Sequence, residues 1–377
     1  MSTNELSLLS DYLIPTTKVG GKVNPLSGLL NEVVNPPALN QPDPSLLTGP
    51  KRQENFANWF KQSKAVNERG VPLTLYHGTT HDFKEFKPEL GSKSGFMGAS
   101  IYLSDSPDDA SINYGSKGED LKNRVNSHAN FIADRIMFEP DGYKGVKADP
   151  DMTPADAEYL GKKIAKKELI GPAERTIPVN ASLQNPIYLS KNPESKKQYI
   201  NFRKIFDIDD PPKEQDYEEY SEYEEALDEW YETENERMLL KIKDKLEDAY
   251  FESEDNADRN FDKFEETAIQ DLFTEIMDGG GEVTPEQIDH IIRKNSIWSD
   301  SQNEGNIIKE FFKSLGYDGI IMDAQTYFPR MKYTEGTKHY ILFDPTKVKS
   351  LFNKGTYDPN DPDITAKRQP RKSLLEA

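Results

Sequence analysis

His77 closes a β-branched and aromatic run, "LTLYHGTT" (73–80), at a point where ordinary turn residues would be expected. A lone histidine at a strand end needs partners before it can do chemistry. Aromatic and small polar groups recur downstream: Tyr102 follows "GAS" in a strand-like run, and "SINY" spaces Ser111 and Tyr114 one α-helical turn apart, on a shared face. The chain has no cysteine, which removes thiol nucleophiles, disulfides and thiolate zinc sites together. Its five histidines, His77, His81, His128, His290 and His339, include no His-x-x-x-His pair, so a metal site would rest on carboxylates of unremarkable spacing. No motif selects one serine for a Ser-His-Asp triad. Taken singly, each residue has a plain structural role: His77 as a core histidine, Tyr102 and Tyr114 as core aromatics, Ser111 as a helix-surface hydroxyl.

These residues have to be positioned by a mixture of short strands and helices. "NFANWF" (55–60) predicts a helix carrying Trp59 and Phe60, followed by a turn at Gly70 and the strand that ends on His77. "ASIYLSD" predicts a second strand and "SPDDASINYG" a helix, with Ser106 as N-cap and Pro107 in the first helical position. "IPVNASLQNPIYLS" reads as two extended pieces about Asn185-Pro186. "NIIKEFFKSLGYDGIIMD" gives an amphipathic helix, a stop at Gly316 and a strand, and "HYILFD" and "VKSLF" close the set. Strands mixed with helices, without regular βαβ alternation, point to α+β.

Composition bounds the rest. The 377 residues can bury a real core, and the formal charge of −19 argues against binding a phosphate backbone, since nucleic-acid binders concentrate Lys and Arg on one face. A basic partner surface is compatible with that balance. Most of the charge is local: residues 207–260 hold 22 acidic and 6 basic side chains. Tyr220, Tyr223, Leu227, Tyr231, Met238, Ile242, Leu246 and Tyr250 recur there at helical spacing, so the acidic region, about 205–300, is expected to be a helical insertion packed on the core. "DGGGE" (278–282) is a flexible loop and no phosphate cradle, because no strand and no Lys-Ser/Thr follow it. Residues 1–50 are rich in Pro, Ser and Asn and read as an arm or linker, 51–365 as one domain, and 366–377 as a tail. No run has the length of a membrane span, and "MSTNELSLLSDYLIP" lacks the basic start and apolar core of a signal peptide. The expectation is a cytoplasmic protein, or one carried as cargo.

Several ordered motifs together resemble a known family. "LYHGTT", "IYLSDSPDDASINYG" and "HYILFDPTKVKS" look like the ADP-ribosyltransferase fold of the diphtheria-toxin and poly-ADP-ribose-polymerase group, whose motif letters are His, Tyr and Glu. The likeness is closer to the ADP-ribosyltransferase-like domains of phage and mobile-element polyvalent proteins. Their lead-in is matched by "NFANWFKQSKAVNERGVPLTLYHGTT", and their lead-out by "LGYDGIIMD" and "YILFDPTKVKSLFNKGTYDPNDPDIT". The blocks frame residues 55 to about 365. The resemblance implies a split β-sheet core with helical insertions, and NAD as substrate. It implies that His77 holds the adenine-side ribose and that Gly78 offers its backbone to the nicotinamide carboxamide, with Ser111 adding a hydroxyl. Tyr102 and Tyr114 would then stack on the nicotinamide. Stacking and cation–π attraction suit such a cationic ring, at about 0.5–2 kcal/mol per contact, and a glycine lets a flat ring approach the backbone.

The third letter is missing. Where the family places a glutamate that stabilises an oxocarbenium-like transition state, this chain has His339. The nearest upstream carboxylate, Glu335, would lie about 13 Å away along an extended strand, unless the loop at Gly336 folds it back. Ser100, where family members often have Gly, is tolerated unless positive φ is required. Two readings follow. One is a mono-ADP-ribosyltransferase acting on a protein or other macromolecule, with His339 or Glu335 in an altered catalytic role; NAD hydrolysis differs from it only in that water attacks. The other is an inactive descendant serving as a phage structural or host-interaction module. The family's setting implies a phage-encoded protein, packaged in the virion or made in the host cytoplasm.

Overall fold

A computed structural model describes residues 50–88, 95–115, 119–171, 174–190, 197–253, 261–296, 304–328 and 333–365. The expected N-terminal arm, up to residue 49, and the tail 366–377 lie outside the described residues. Strands β1 (Leu75–Thr79), β2 (Ile101–Ser104), β3 (Arg175–Ala181), β4 (Pro186–Leu189), β7 (Gly319–Asp323), β8 (Lys338–Leu342) and β9 (Val348–Ser350) form one sheet in the order β4-β7-β8-β2-β1-β3-β9. All neighbours are antiparallel except β4 beside β7. A small ribbon pairs β5 (Ile200–Asn201) with β6 (Glu282–Val283). The fold is therefore α+β with a mostly antiparallel open sheet, as the mixed pattern predicts.

The middle of the sheet is its weakest seam. β1 pairs with β3 along five residues, and β2 pairs with β8 along four, but β1 and β2 share the single register pair Tyr76↔Ser104. Beyond that pair the two halves share no further ladder position, and His77 and Tyr102 face the gap.

Both faces of the sheet are covered, and apolar side chains of its strands point to either side. Ile320, Met322 and Ile341 face a large core shared with helices, while Ile321, Tyr340 and Leu342 face a second core with Leu75, Leu103 and Val179. Helix α1 (Pro50–Phe60) packs Phe56, Trp59 and Phe60 on Tyr357, tying the start of the described chain to its end. Fully buried Lys349 gives its ammonium to the Asp361 carbonyl, fastening the segment after β9.

After β2, the helical turn α2 (Pro107–Asp109) is capped by Ser106 as expected, but the chain continues as a π-helical turn over Ala110–Gly115. Helices α3 (Glu119–Phe138) and α4 (Pro154–Leu169) form a hairpin with a small core of its own. Gly161 permits the close approach, since a Cβ there would lie 2.4 Å from the Ala129 carbonyl oxygen. The acidic region is helical. It runs through α5 (Phe202–Phe206), α6 (Tyr220–Ser253), α7 (Phe261–Phe264), a π-helical stretch (Glu265–Ile269), α8 (Gln270–Asp278) and α9 (Pro285–Asn295). Along α6, Met238, Ile242, Leu246 and Tyr250 are buried as the spacing predicts, but Tyr220 and Tyr231 are exposed. The first half of that helix is anchored instead by Trp230, whose indole N–H donates to the Asp209 carbonyl under the Arg203 guanidinium. Helix α10 (Glu304–Ser314) ends before Gly316, whose φ of +89° is the expected left-handed stop, and α11 (Ala324–Tyr327) follows β7.

Candidate functional site

A cleft of about 1070 Å³ opens over the β1–β2 seam. That is at or above the upper end of ordinary small-molecule sites, which run to about 1000 Å³. Its sheet side is lined by His77, Gly78, Tyr102 and Tyr114, and its helical side by Leu121, Arg124 and Ser127 of α3 and Glu168 and Leu169 of α4.

His77 sits where the strands part. Its Nδ1 lies 2.9 Å from the Tyr102 carbonyl oxygen. A carbonyl can only accept, so Nδ1 carries the hydrogen and the side chain bridges the two half-sheets where the ladder does not. Phe83 and Phe86 pack edge-on against the ring. Burial is the main cause that pulls its pKa down to about 4, against the raising effect of the Tyr102 hydrogen bond. At neutral pH the ring is therefore neutral, and Nε2 is a lone-pair acceptor suited to a hydroxyl.

Gly78 lines the cleft, but its smallness has a nearer cause. A Cβ there would lie 1.9 Å from the Ala110 carbonyl oxygen and 2.8 Å from the Gly115 nitrogen, so the π-helical turn leaves room only for glycine. Tyr102 is half-buried and its hydroxyl is already engaged: it donates to the Gly98 carbonyl and accepts from the Met97 N–H, both at 2.9 Å. What it presents to the cleft is ring surface. Ser100 has no positive φ, and its hydroxyl donates to the Met97 carbonyl, so serine is tolerated there.

The rim loop 95–100 is clamped from two helices, α9 of the insertion and α10 after it. The Asn306 side-chain oxygen accepts the Ala99 N–H at 2.8 Å, the Arg293 guanidinium donates to the Phe96 carbonyl at 2.6 Å, and Gly98 adopts φ +53° beneath Asn306. Sequence spacing did not bring these helices to the cleft.

The expected shared face of Ser111 and Tyr114 does not form. A π-helical turn is wider than an α-helical one, so residues three apart swing to different sides. Tyr114 lines the cleft, whereas Ser111 is not among the lining residues. His339 is the second residue of β8, opposite Ser104, 2 % exposed and outside the lining. Its Nε2 lies 2.8 Å from Asp109 Oδ2, and Asp109 Oδ1 accepts the Asn113 amide at 2.6 Å. Glu335 does not fold back: it is exposed in the turn 334–337 and is not a lining residue. The carboxylates that do line the cleft, Asp82, Glu85 and Glu168, come from the loop after β1 and from α4.

Glu168 belongs to a network that no motif signals. One oxygen accepts from the Lys144 ammonium at 2.8 Å, and the other meets the Tyr143 hydroxyl and His128 Nε2, each at 2.9 Å. Burial raises its pKa, but those three hydrogen bonds together outweigh it and hold the carboxyl at about 2. Leu169, beside it, gives its carbonyl to the Thr80 hydroxyl and His81, which joins the hairpin to the end of β1. Among the described residues no group of three or more His, Asp or Glu could hold a metal ion. None of the described helices is long and apolar enough to cross a membrane. Comparison with protein-family models, with curated proteins and with solved structures finds no match.

Proposed function

We propose that this cleft binds NAD and that the protein is a mono-ADP-ribosyltransferase-like enzyme of the phage polyvalent type, acting on a protein or other macromolecular acceptor. The observation that carries the reading is His77. At the parting of the sheet it presents a neutral imidazole whose one hydrogen is spent on Tyr102, leaving Nε2 to accept a ribose hydroxyl. The ring surfaces of Tyr102 and Tyr114 on the same wall suit a cationic nicotinamide. The near-split of the sheet between β1 and β2 supports assignment to the ADP-ribosyltransferase fold. In the reaction the C1′–N bond to nicotinamide breaks with its electron pair leaving on the base. An oxygen or nitrogen of the acceptor bonds to C1′, and the acceptor's proton passes to solvent.

A second reading, an inactive fold kept as a virion or host-interaction module, is favoured by one fact: no side chain of β8 reaches the cleft as a carboxylate. Isothermal titration of NAD with a turnover assay on the same sample separates the two. The transferase predicts binding and labelling of an acceptor, both lost in His77→Ala and weakened in Tyr114→Ala. Absence of binding at millimolar NAD would reject it, and binding without turnover would favour the module.

A further inference from the structure

Behind the Tyr114 edge of the cleft lies a buried carboxyl–imidazole pair that the NAD pose leaves unused. Asp109 and His339 are each 2 % exposed and are joined at 2.8 Å. The second oxygen of Asp109 takes the Asn113 amide. Tyr114, Phe328 and Tyr333 surround the imidazole at ring-centroid distances of 5.6, 5.7 and 5.5 Å. Tyr114 and Phe328 also line the cleft, so the pair sits one side chain behind its wall.

A buried carboxylate is costly unless fully partnered, and an apolar residue would fill a structural position at less expense, as Tyr340, Ile341 and Leu342 do further along β8. Since a carboxylate only accepts, the Nε2 hydrogen points at Asp109 and the ring is locked in orientation. A carboxylate held in so buried a place bears on charge that develops beyond the aromatic wall, and a ribose losing nicotinamide develops positive charge. Glu168 is a poorer source of that field, because the Lys144 ammonium is paired with it on the helical side.

We propose that Asp109, held by His339, is a positioning residue that supplies from behind Tyr114 the fixed negative charge needed to stabilise the oxocarbenium-like ribose. The pair exchanges no proton with the substrate. This inference rests on the NAD reading of the cleft.

The test measures NAD affinity, kcat and thermal stability for the natural protein, Asp109→Asn and the exchanged pair Asp109→His with His339→Asp. Asp109→Asn keeps the shape and removes the charge. Its kcat should fall about 10- to 100-fold while the NAD Kd stays within about threefold. The exchanged pair should recover most of that loss. A folded Asp109→Asn variant with kcat within about twofold of the natural protein, or a loss wholly in Kd, overturns the inference. If Asp109→Asn does not fold, the exchanged pair decides: folded and active supports the inference, folded and inactive overturns it. A natural protein that binds NAD without turnover overturns this inference and favours the inactive module while leaving NAD binding at the cleft intact, whereas one that does not bind NAD removes the NAD reading itself; a turning-over protein whose Asp109→Asn variant is unimpaired overturns this inference alone.

Discussion

At the residue scale, the two histidines of the motif have opposite surroundings. His77 is neutral through burial, with Nε2 left to accept. An unperturbed histidine would lose that acceptor near pH 6.5, but His77 keeps it down to about pH 4. NAD affinity should therefore be flat from pH 8 to about 5, as measured by titration calorimetry at constant ionic strength; a fall with a midpoint near 6.5 would count against the assigned role. His339 is different, because its Nε2 is committed to Asp109. Placing at 339 the glutamate that the resemblance implies, as His339→Glu, looks from sequence like a repair. In the structure it sets two carboxyl groups face to face in a buried site, where like charges repel and one must hold a proton. His339→Glu alone is thus expected to lower thermal stability at pH 7, by about 3 kcal/mol or more, with no gain in turnover. Adding Asp109→Asn should return most of the stability, which differential scanning calorimetry reads directly.

At the element scale, two contacts set the cleft. The π-helical turn 110–115 lies on β1 at Gly78, where an added methyl group meets backbone at 1.9 Å and no flexible side chain can give way. Gly78→Ala should cost about 1–3 kcal/mol, or prevent folding, by prising the turn and Tyr114 away from His77. Denaturant unfolding measures the loss, and a neutral result would mean that the turn moves freely. The second contact is the clamp on loop 95–100 by Asn306 of α10 and Arg293 of α9, the latter being where the acidic insertion reaches the loop that holds the Tyr102 hydroxyl. Asn306→Ala leaves the Ala99 N–H without its acceptor, at a cost of about 1–3 kcal/mol. It should raise amide exchange in residues 95–100 and weaken NAD binding, while exchange in the α3–α4 hairpin stays unchanged. The insertion is thereby more than a solvated addition: its far end is acidic and exposed, but its near end braces the rim of the cleft.

At the scale of the molecule, what the sequence makes legible is what local chemistry decides. The strand that carries His77, the Ser106 cap and the Gly316 stop follow from β-branched runs, a hydroxyl before proline and a residue that tolerates positive φ, although the strand runs on to Thr79 and does not end on His77, because Gly78 and Thr79 pair with β3. The partners that shape the site were not legible, because they are assembled over long separations. Asp109 and His339 are 230 positions apart, and Arg124 and Glu168 lie in polar helices whose pattern carries no motif. The α to π change after Asp109, which parts Ser111 from Tyr114, depends on packing against β1. Acid stability joins both walls of the cleft in one measurement. His77 has a lowered folded pKa, so between about pH 6.5 and 4 the unfolded chain binds the extra proton and stability falls as pH falls, by no more than about 3 kcal/mol. Glu168 is also lowered, to about 2, so its contribution is present above about pH 4.5 and is lost as pH falls from there toward 2. Unfolding free energy should therefore decline in two stages on acidification. His77→Asn should flatten the upper stage alone and Glu168→Gln the lower, and a single decline that neither substitution alters would mean that other groups govern acid unfolding.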